Sequence, residues 1–326
     1  MINLETKYLG LDLKNPIIVS SSGLTNSVEK IKKIEEMGAG AVVLKSLFEE
    51  QISYEAGSLL HEEENYPEAS DYIDNYIRNA SVDKYIDLIS DAKKAVKIPV
   101  IASINCVSDT DWTDFAKRIE QAGADALELN IYIVAINKNM TSADYEQIYY
   151  NIVESVSKKI SIPIAVKLSY HFTNFVHLID RLSVNGASGV VIFNRFYQPD
   201  IDIDKLQVTS SDVFSTPSDI RHSLRWVAIV SDKVRKIDIS ASTGVHDGEA
   251  AIKMLLSGAT TVQVCSVLYE KGVEHIKTIL TDIEAWMNKK GYLEIADFRG
   301  KMSARKLPNP ARYQRAQFMK YFSSHE

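Results

Sequence analysis

A short apolar run recurs along this chain after a Gly-Ala pair, and each run stops on a polar residue. Gly123-Ala124 leads through Ala126-Leu127-Glu128-Leu129 to Asn130. Gly38-Ala39 leads through Ala41-Val42-Val43-Leu44 to Lys45, and Gly186-Ala187 leads through Gly189-Val190-Val191-Ile192-Phe193 to Asn194. Gly258-Ala259 leads through Val262-Gln263-Val264 to Cys265 and Ser266. A helix ending at Gly-Ala, followed by a nearly continuous apolar strand, marks a β/α unit of a buried parallel sheet. The polar group follows the glycine by seven or eight residues in each copy, so four separated segments present it at the same end of their strands.

The rest of the chain fits around that repeat. Residues 1–15 alternate apolar and polar side chains around Gly10, which predicts a hairpin flooring the molecule. Pro16-Ile17-Ile18-Val19 is a strand that runs into the small residues Ser20-Ser21-Ser22-Gly23. Helices are predicted over 27–37, 82–96, 111–122, 142–159, 174–184, 247–257 and 273–289, and strands three, five and seven over 98–104, 163–169 and 237–241. The acidic connection over 47–81 after strand two is too long for a simple turn and reads as a lid or binding loop, and another long connection, 196–216, follows strand six. Alternating strands and helices predict an α/β protein, a TIM (β/α)8 barrel with one domain over 1–326. A doubly wound open sheet has the same alternation and is the competing architecture.

Composition narrows the function classes. With 326 residues, 45% of them hydrophobic, the chain can bury a large core. The net charge of -6 and the lack of a basic run give no footprint for a nucleic-acid backbone. Cys106 and Cys265 stand far apart in no C-x-x-C spacing, which argues against a disulfide scaffold, a metal site or an iron-sulfur cluster and for a reducing cytoplasm. Charged residues interrupt the first twenty positions and no run approaches about 18 apolar residues, so neither a signal peptide nor a membrane span is expected.

The candidate chemistry lies at the strand ends. Lys167 interrupts an apolar strand, and a buried ammonium needs a partner, either a ligand at the barrel mouth or an acid such as Glu128 on the next strand. Lys45, Asn130 and Asn194 end strands two, four and six, and with Lys167 they would make a cationic, hydrogen-bonding pocket for a flat electron-rich group or an anion. Ser242-Thr243-Gly244 and Cys265-Ser266 follow strands seven and eight, where barrels commonly bind phosphate; two ordinary loops would look the same.

Taken in order, these segments resemble the FMN-dependent dihydroorotate dehydrogenases of class 1 and the related flavin domain of dihydropyrimidine dehydrogenase. The resemblance runs from Leu11-Asp12-Leu13-Lys14-Asn15-Pro16 through Ser21-Ser22-Gly23, Leu44-Lys45-Ser46, Leu127-Glu128-Leu129-Asn130, Val166-Lys167-Leu168 and Gln263-Val264-Cys265-Ser266 to Asp297-Phe298-Arg299-Gly300. It implies that Ser21, Ser22, Lys45, Ser46, Asn130, Lys167 and Asn194 line FMN, with Lys167 near the electron-accepting edge. It also implies that Thr243, Gly244, Cys265 and Ser266 hold the phosphate. The implied activity is hydride transfer between a small cyclic or anionic substrate and flavin N5.

The chain departs from that pattern at the base. The family's strand-four asparagine is followed by leucine, serine, cysteine, proline and asparagine, and the cysteine removes a proton from dihydroorotate. Here Ile133 takes the cysteine's place and Ala135 the substrate-binding asparagine's. Tyr132, Tyr197, His171 and Cys106 are candidate replacements, with Tyr132 nearest in sequence to the lost base. The resemblance further implies a homodimer, no quinone coupling at a membrane, and a separate electron-acceptor protein if NAD is involved. Two other readings remain: a barrel that binds flavin or nucleotide without catalysis, and a lyase that forms a Schiff base on Lys167.

Overall fold

The computed structural model of the protein describes residues 2–48, 82–106, 113–195, 198–210, 212–310 and 313. In chain order its first strands are β1 (Thr6–Tyr8), β2 (Leu11–Leu13), β3 (Ile17–Val19), β4 (Ala41–Val43), β5 (Leu47–Phe48), β6 (Val100–Cys106) and β7 (Ala126–Ile131). They are followed by β8 (Ile164–Leu168), β9 (Gly189–Ile192), β10 (Pro199–Asp202), β11 (Gln207–Ser210), β12 (Asp238–Ala241) and β13 (Thr261–Val264). Parallel pairing runs β3, β4, β6, β7, β8, β9, β12, β13 and returns to β3, with Val42 opposite Val100 and Val262 opposite Ile17. The ring closes, so the eight strands form a TIM barrel and the open sheet is ruled out.

The helices are α1 (Val28–Glu36), α2 (Val82–Ala95), α3 (Thr113–Gln121), α4 (Ser142–Ser157) and α5 (Phe175–Val184), then α6 (Ile220–Lys233), α7 (Gly248–Ser257), α8 (Ser266–Lys271) and α9 (His275–Lys290). Their starts follow local chemistry. Ser27 accepts from the Lys30 N–H, Asp247 from the Ala250 N–H, and Thr141 and Asp144 form a capping box. Strand residues of one parity, such as Ile17, Val19, Val42, Leu127 and Val190, pack outward against the helices.

Residues of the other parity fill the barrel, and the hairpin plugs its lower end as predicted. Tyr8, Leu9 and Leu13 pack against Ile18, Val43, Ile101, Ala126, Ala165 and Val191. The turn is Leu9-Gly10 with φ of 54° and 78°, the primed geometry of a two-residue hairpin, which glycine adopts without strain. The Leu9 N–H donates to Asp238 Oδ2 at 2.8 Å, and burial raises the Asp238 carboxyl above its ordinary pKa.

The structure adds three things to the sequence reading. The connection over 196–216 carries a second hairpin, β10 with β11, and α6 and α8 occupy segments for which no helix range was predicted. Only β5 represents the acidic connection over 47–81, so the expected lid lies outside the described residues. Among the described residues no helix is long and apolar enough to cross a membrane.

Candidate active site

The C-terminal ends of the strands converge on a mouth whose floor is ionic. Lys167 and Glu128, on adjacent strands, alternate inward with Ala165 and Ala126. Lys167 Nζ donates to Ser20 Oγ at 3.1 Å and lies 3.5 Å from Glu128 Oε1. Ser20 Oγ donates to Gln263 Oε1 at 2.8 Å, and Gln263 Nε2 donates to Glu128 Oε2 at 2.7 Å. Four buried side chains from four strand segments thus form one closed ring, and the sequence alternative of a Lys167–Glu128 pair is realised. Removing one member of such a pair costs about 3–5 kcal/mol, because the other charge stays buried.

Above this ring lie groups that can read a ligand. Asn130 is level with Lys167 in the sheet register, and Asn194 Nδ2 donates to Asn130 Oδ1 at 2.7 Å, so the two predicted asparagines meet. Ser21 and Ser46 also meet, with hydroxyl oxygens 3.0 Å apart, and the Ser46 hydroxyl continues to Ser103 Oγ at 2.8 Å. Lys45 is half-buried beside Ser46, and its backbone N–H reaches Thr25 O at 3.4 Å. Ser22 caps the single 3-10 turn Gly23–Thr25 by accepting from the Leu24 N–H. The Cys265 thiol is pushed up by burial, partly offset by the Ser22 hydroxyl and the Lys167 charge, which places Cys265 at the same mouth.

The predicted phosphate segment is a compact corner. Thr243 and Gly244 both have left-handed backbones, at φ of 74° and 79°, and Thr243 Oγ1 donates to Phe193 O at 2.9 Å. A Cβ on residue 244 would lie 2.1 Å from the backbone nitrogen of Ile220, so only glycine lets the strand end abut α6. Ser266 Oγ accepts from the Ser215 N–H at 3.0 Å and from its hydroxyl at 3.1 Å, while Ser215 Oγ is 3.2 Å from His246 Nε2.

Tyr132 stands in a different place. It lines a cavity of about 320 Å³ between the segments after β7 and β8, together with Ile133, Ala135, Tyr149 and His171. Lys167 and Asn130 are not among the residues lining it. The Tyr149 phenol at its wall is pushed up to about 12 by burial. Of the other candidate acids, Cys106 is fully buried in β6 and Tyr197 lies outside the described residues.

Sequence reasoning missed Ser20, Gln263, Ser215 and His246. Gln263 had a signal, since it interrupts Val262-Gln263-Val264 as Lys167 interrupts its own strand. The donor set fits a flat nitrogen heterocycle with a phosphorylated tail: an ammonium and an amide pair at the mouth, hydroxyls along one wall, and the half-buried Thr243, Cys265 and Ser266 at the corner. Among the described residues no cluster of His, Cys, Asp or Glu could hold a metal ion.

The family model for dihydroorotate dehydrogenase matches residues 3–287. The chain is 25% identical to the dihydroorotate dehydrogenase B (NAD(+)) catalytic subunit of Thermoplasma acidophilum, over 92% of this chain and 99% of that protein. It is 24% identical to the subunit of the same name from Methanocaldococcus jannaschii, over 88% and 94%. For that from Methanocella arvoryzae the identity is 29%, over 80% and 85%.

Proposed function

The chain belongs to the dihydroorotate dehydrogenase family, and from that premise we propose that it is an FMN-dependent oxidoreductase whose substrate is not dihydroorotate itself. The observation that carries the flavin half is the Lys167 ring beside the Asn130–Asn194 pair, a cation and an amide pair at one level of the barrel mouth. Bound FMN would supply the hydride acceptor. Lys167 and Asn130 would bind the polar edge of the ring, with Asn194, Lys45 and the Ser21–Ser46 hydroxyls orienting it. Thr243, Gly244, Cys265 and Ser266 would hold the phosphate end. Lys167 would also offset negative charge on a bound flavin.

The substrate half rests on the cavity beside the strand-four end. Ile133 and Ala135 line it where the family pattern has a cysteine and an asparagine, and isoleucine cannot take a proton. Tyr132, at the edge of the same cavity, is our choice for the proton-transferring group. A small cyclic or anionic substrate, a single barrel domain over 1–326, a cytoplasmic site of action and a homodimer complete the reading. The relatives named as catalytic subunits support a separate electron-acceptor protein.

One experiment tests both halves. Purified protein is expected to be yellow, to bleach with dithionite, and to stay oxidised on anaerobic mixing with dihydroorotate. A colourless protein that takes up no added FMN overturns the flavin assignment. Fast bleaching by dihydroorotate, at the rate of an enzyme that has the cysteine, overturns the substrate assignment.

A further inference from the structure

The cavity between the segments after β7 and β8 has a charge character of its own. Its walls are largely rings and methyl groups, from Tyr132, Tyr145, Tyr149 and Phe172 with Ile133 and Ala135 beside them. Phe172 meets Tyr149 edge-on, with 5.2 Å between ring centres. Two of the tyrosine hydroxyls are turned to backbone: Tyr145 accepts from the Asn137 N–H at 2.8 Å, and Tyr149 donates to Ile131 O at 3.5 Å. That leaves their rings as the contact surface for a ligand. At about 320 Å³ the cavity is at the small end of ligand sites, with room for one ring and a short arm.

One side chain in this lining is a carboxylate, and none is a lysine or arginine. Glu146, half-buried on α4, accepts from the Tyr150 hydroxyl through Oε2 at 3.2 Å, its one side-chain hydrogen bond among the described residues. Burial and then the Glu146 charge push the Tyr150 phenol up to about 12. His171 also lines the cavity, with its ring 4.3 Å from that of Tyr170. The start of α4 would by itself favour an anion, since a helix N-terminus carries partial positive charge. That charge is already answered by Asp144, which accepts from the Thr141 N–H at 2.6 Å and the Thr141 hydroxyl at 2.7 Å, bonds that hold its carboxyl below the usual range. Lys45 and Lys167 do not line the cavity, and Glu128 balances Lys167.

A carboxylate on a ligand is therefore disfavoured here. A positively charged nitrogen gains Glu146 Oε1 as an acceptor and the electron-rich faces of the tyrosines. We propose that this cavity selects a cyclic ligand carrying a cationic nitrogen, an amidinium or ammonium group, and that Glu146 is the residue that reads the charge. The inference rests on taking the cavity as the substrate site, and it narrows the substrate to a ring with a basic arm. Dihydroorotate fails that requirement as well, because its ring bears a carboxylate.

The test uses flat probes of one shape and different charge: benzamidine, benzamide and benzoate, titrated calorimetrically into the purified protein at neutral pH. Benzamidine should bind about tenfold tighter than benzamide, as a hydrogen bond to a charged acceptor warrants, and benzoate should bind more weakly than either. Glu146→Gln should remove the advantage of benzamidine and leave the Kd for benzamide unchanged. Ala135→Phe, which fills the cavity from the segment after β7, should weaken all the probes together. Benzoate binding as tightly as benzamidine overturns the assignment, as does an advantage that survives in Glu146→Gln. Affinities untouched by Ala135→Phe, or no binding by any probe, overturn it too. The result is separate from that of the flavin test. A protein that takes up no FMN but keeps this order of probes loses the flavin reading and keeps the site, and a yellow protein that prefers benzoate does the reverse.

Discussion

The chain contains two hairpins of similar size that meet opposite fates. In β1–β2, Lys7 pairs with Asp12 on the outer side while Tyr8 and Leu13 turn into the barrel and are 1% and 2% exposed. In β10–β11, Ile201 stands opposite Val208 in the same antiparallel manner, yet the two are 66% and 72% exposed. Alternation puts apolar groups on one face of a ribbon; only a partner surface buries that face. The first hairpin has the barrel floor beneath it. The second hangs from the mouth side, held at its base by Arg195, which donates to Asp212 O, Val213 O and Asp219 Oδ2 at 2.7, 3.0 and 3.2 Å.

The contrast breaks most sharply at Tyr8. Tyr8→Ala should destabilise the protein by about 3–5 kcal/mol in urea unfolding, as aromatic truncations in filled cores do. Among the described residues no hydrogen bond of normal geometry reaches the buried Tyr8 hydroxyl, which faces Ser240, so Tyr8→Phe should be neutral or slightly stabilising. A loss in the phenylalanine variant comparable to that in the alanine variant would show that the plug works through its hydroxyl and not through packing. A smaller, local effect is expected at the other hairpin's anchor. Arg195→Ala gives up a partly exposed ion pair and two bonds to carbonyls that water can replace, a global cost of about 1 kcal/mol. Limited proteolysis around residues 199–213 should accelerate while the urea midpoint hardly moves; unchanged cleavage would mean that Arg195 is no anchor. The smallest effect belongs to Ile201→Ser, within about 0.5 kcal/mol, because that side chain leaves water exposure nearly unchanged.

The barrel was legible because its strands are buried on both faces and each ends on a polar residue, a signal local enough to read in ten residues. The Lys167–Glu128 pair was readable for the same reason, as two charges in apolar strands one step apart in the sheet. What escaped depends on contacts between distant segments. Ser20 and Gln263 are 243 positions apart and become neighbours only when β13 pairs with β3 and closes the ring. Ser215, in the segment before α6, and His246, in the segment before α7, meet only in the folded chain, and neither sits in a periodic run. The hairpin β10–β11 was hidden by Pro199 and the aspartates that dilute its strand composition. Ahead of α6, the capping box Thr216–Asp219 of the 3-10 turn Pro217–Asp219 was visible, but Arg221, His222 and Arg225 interleave with Ile220, Leu224 and Val227 and blur the apolar stripe.

The close approach at Gly244 sets a boundary for anyone redesigning this barrel. A library randomised at the lining of the mouth can vary charge, size and polarity there, but at position 244 any side chain would have to displace the first turn of a neighbouring helix. Selection should therefore return glycine at that codon whatever new compound is chosen, which makes it an internal control for whether the library members still fold.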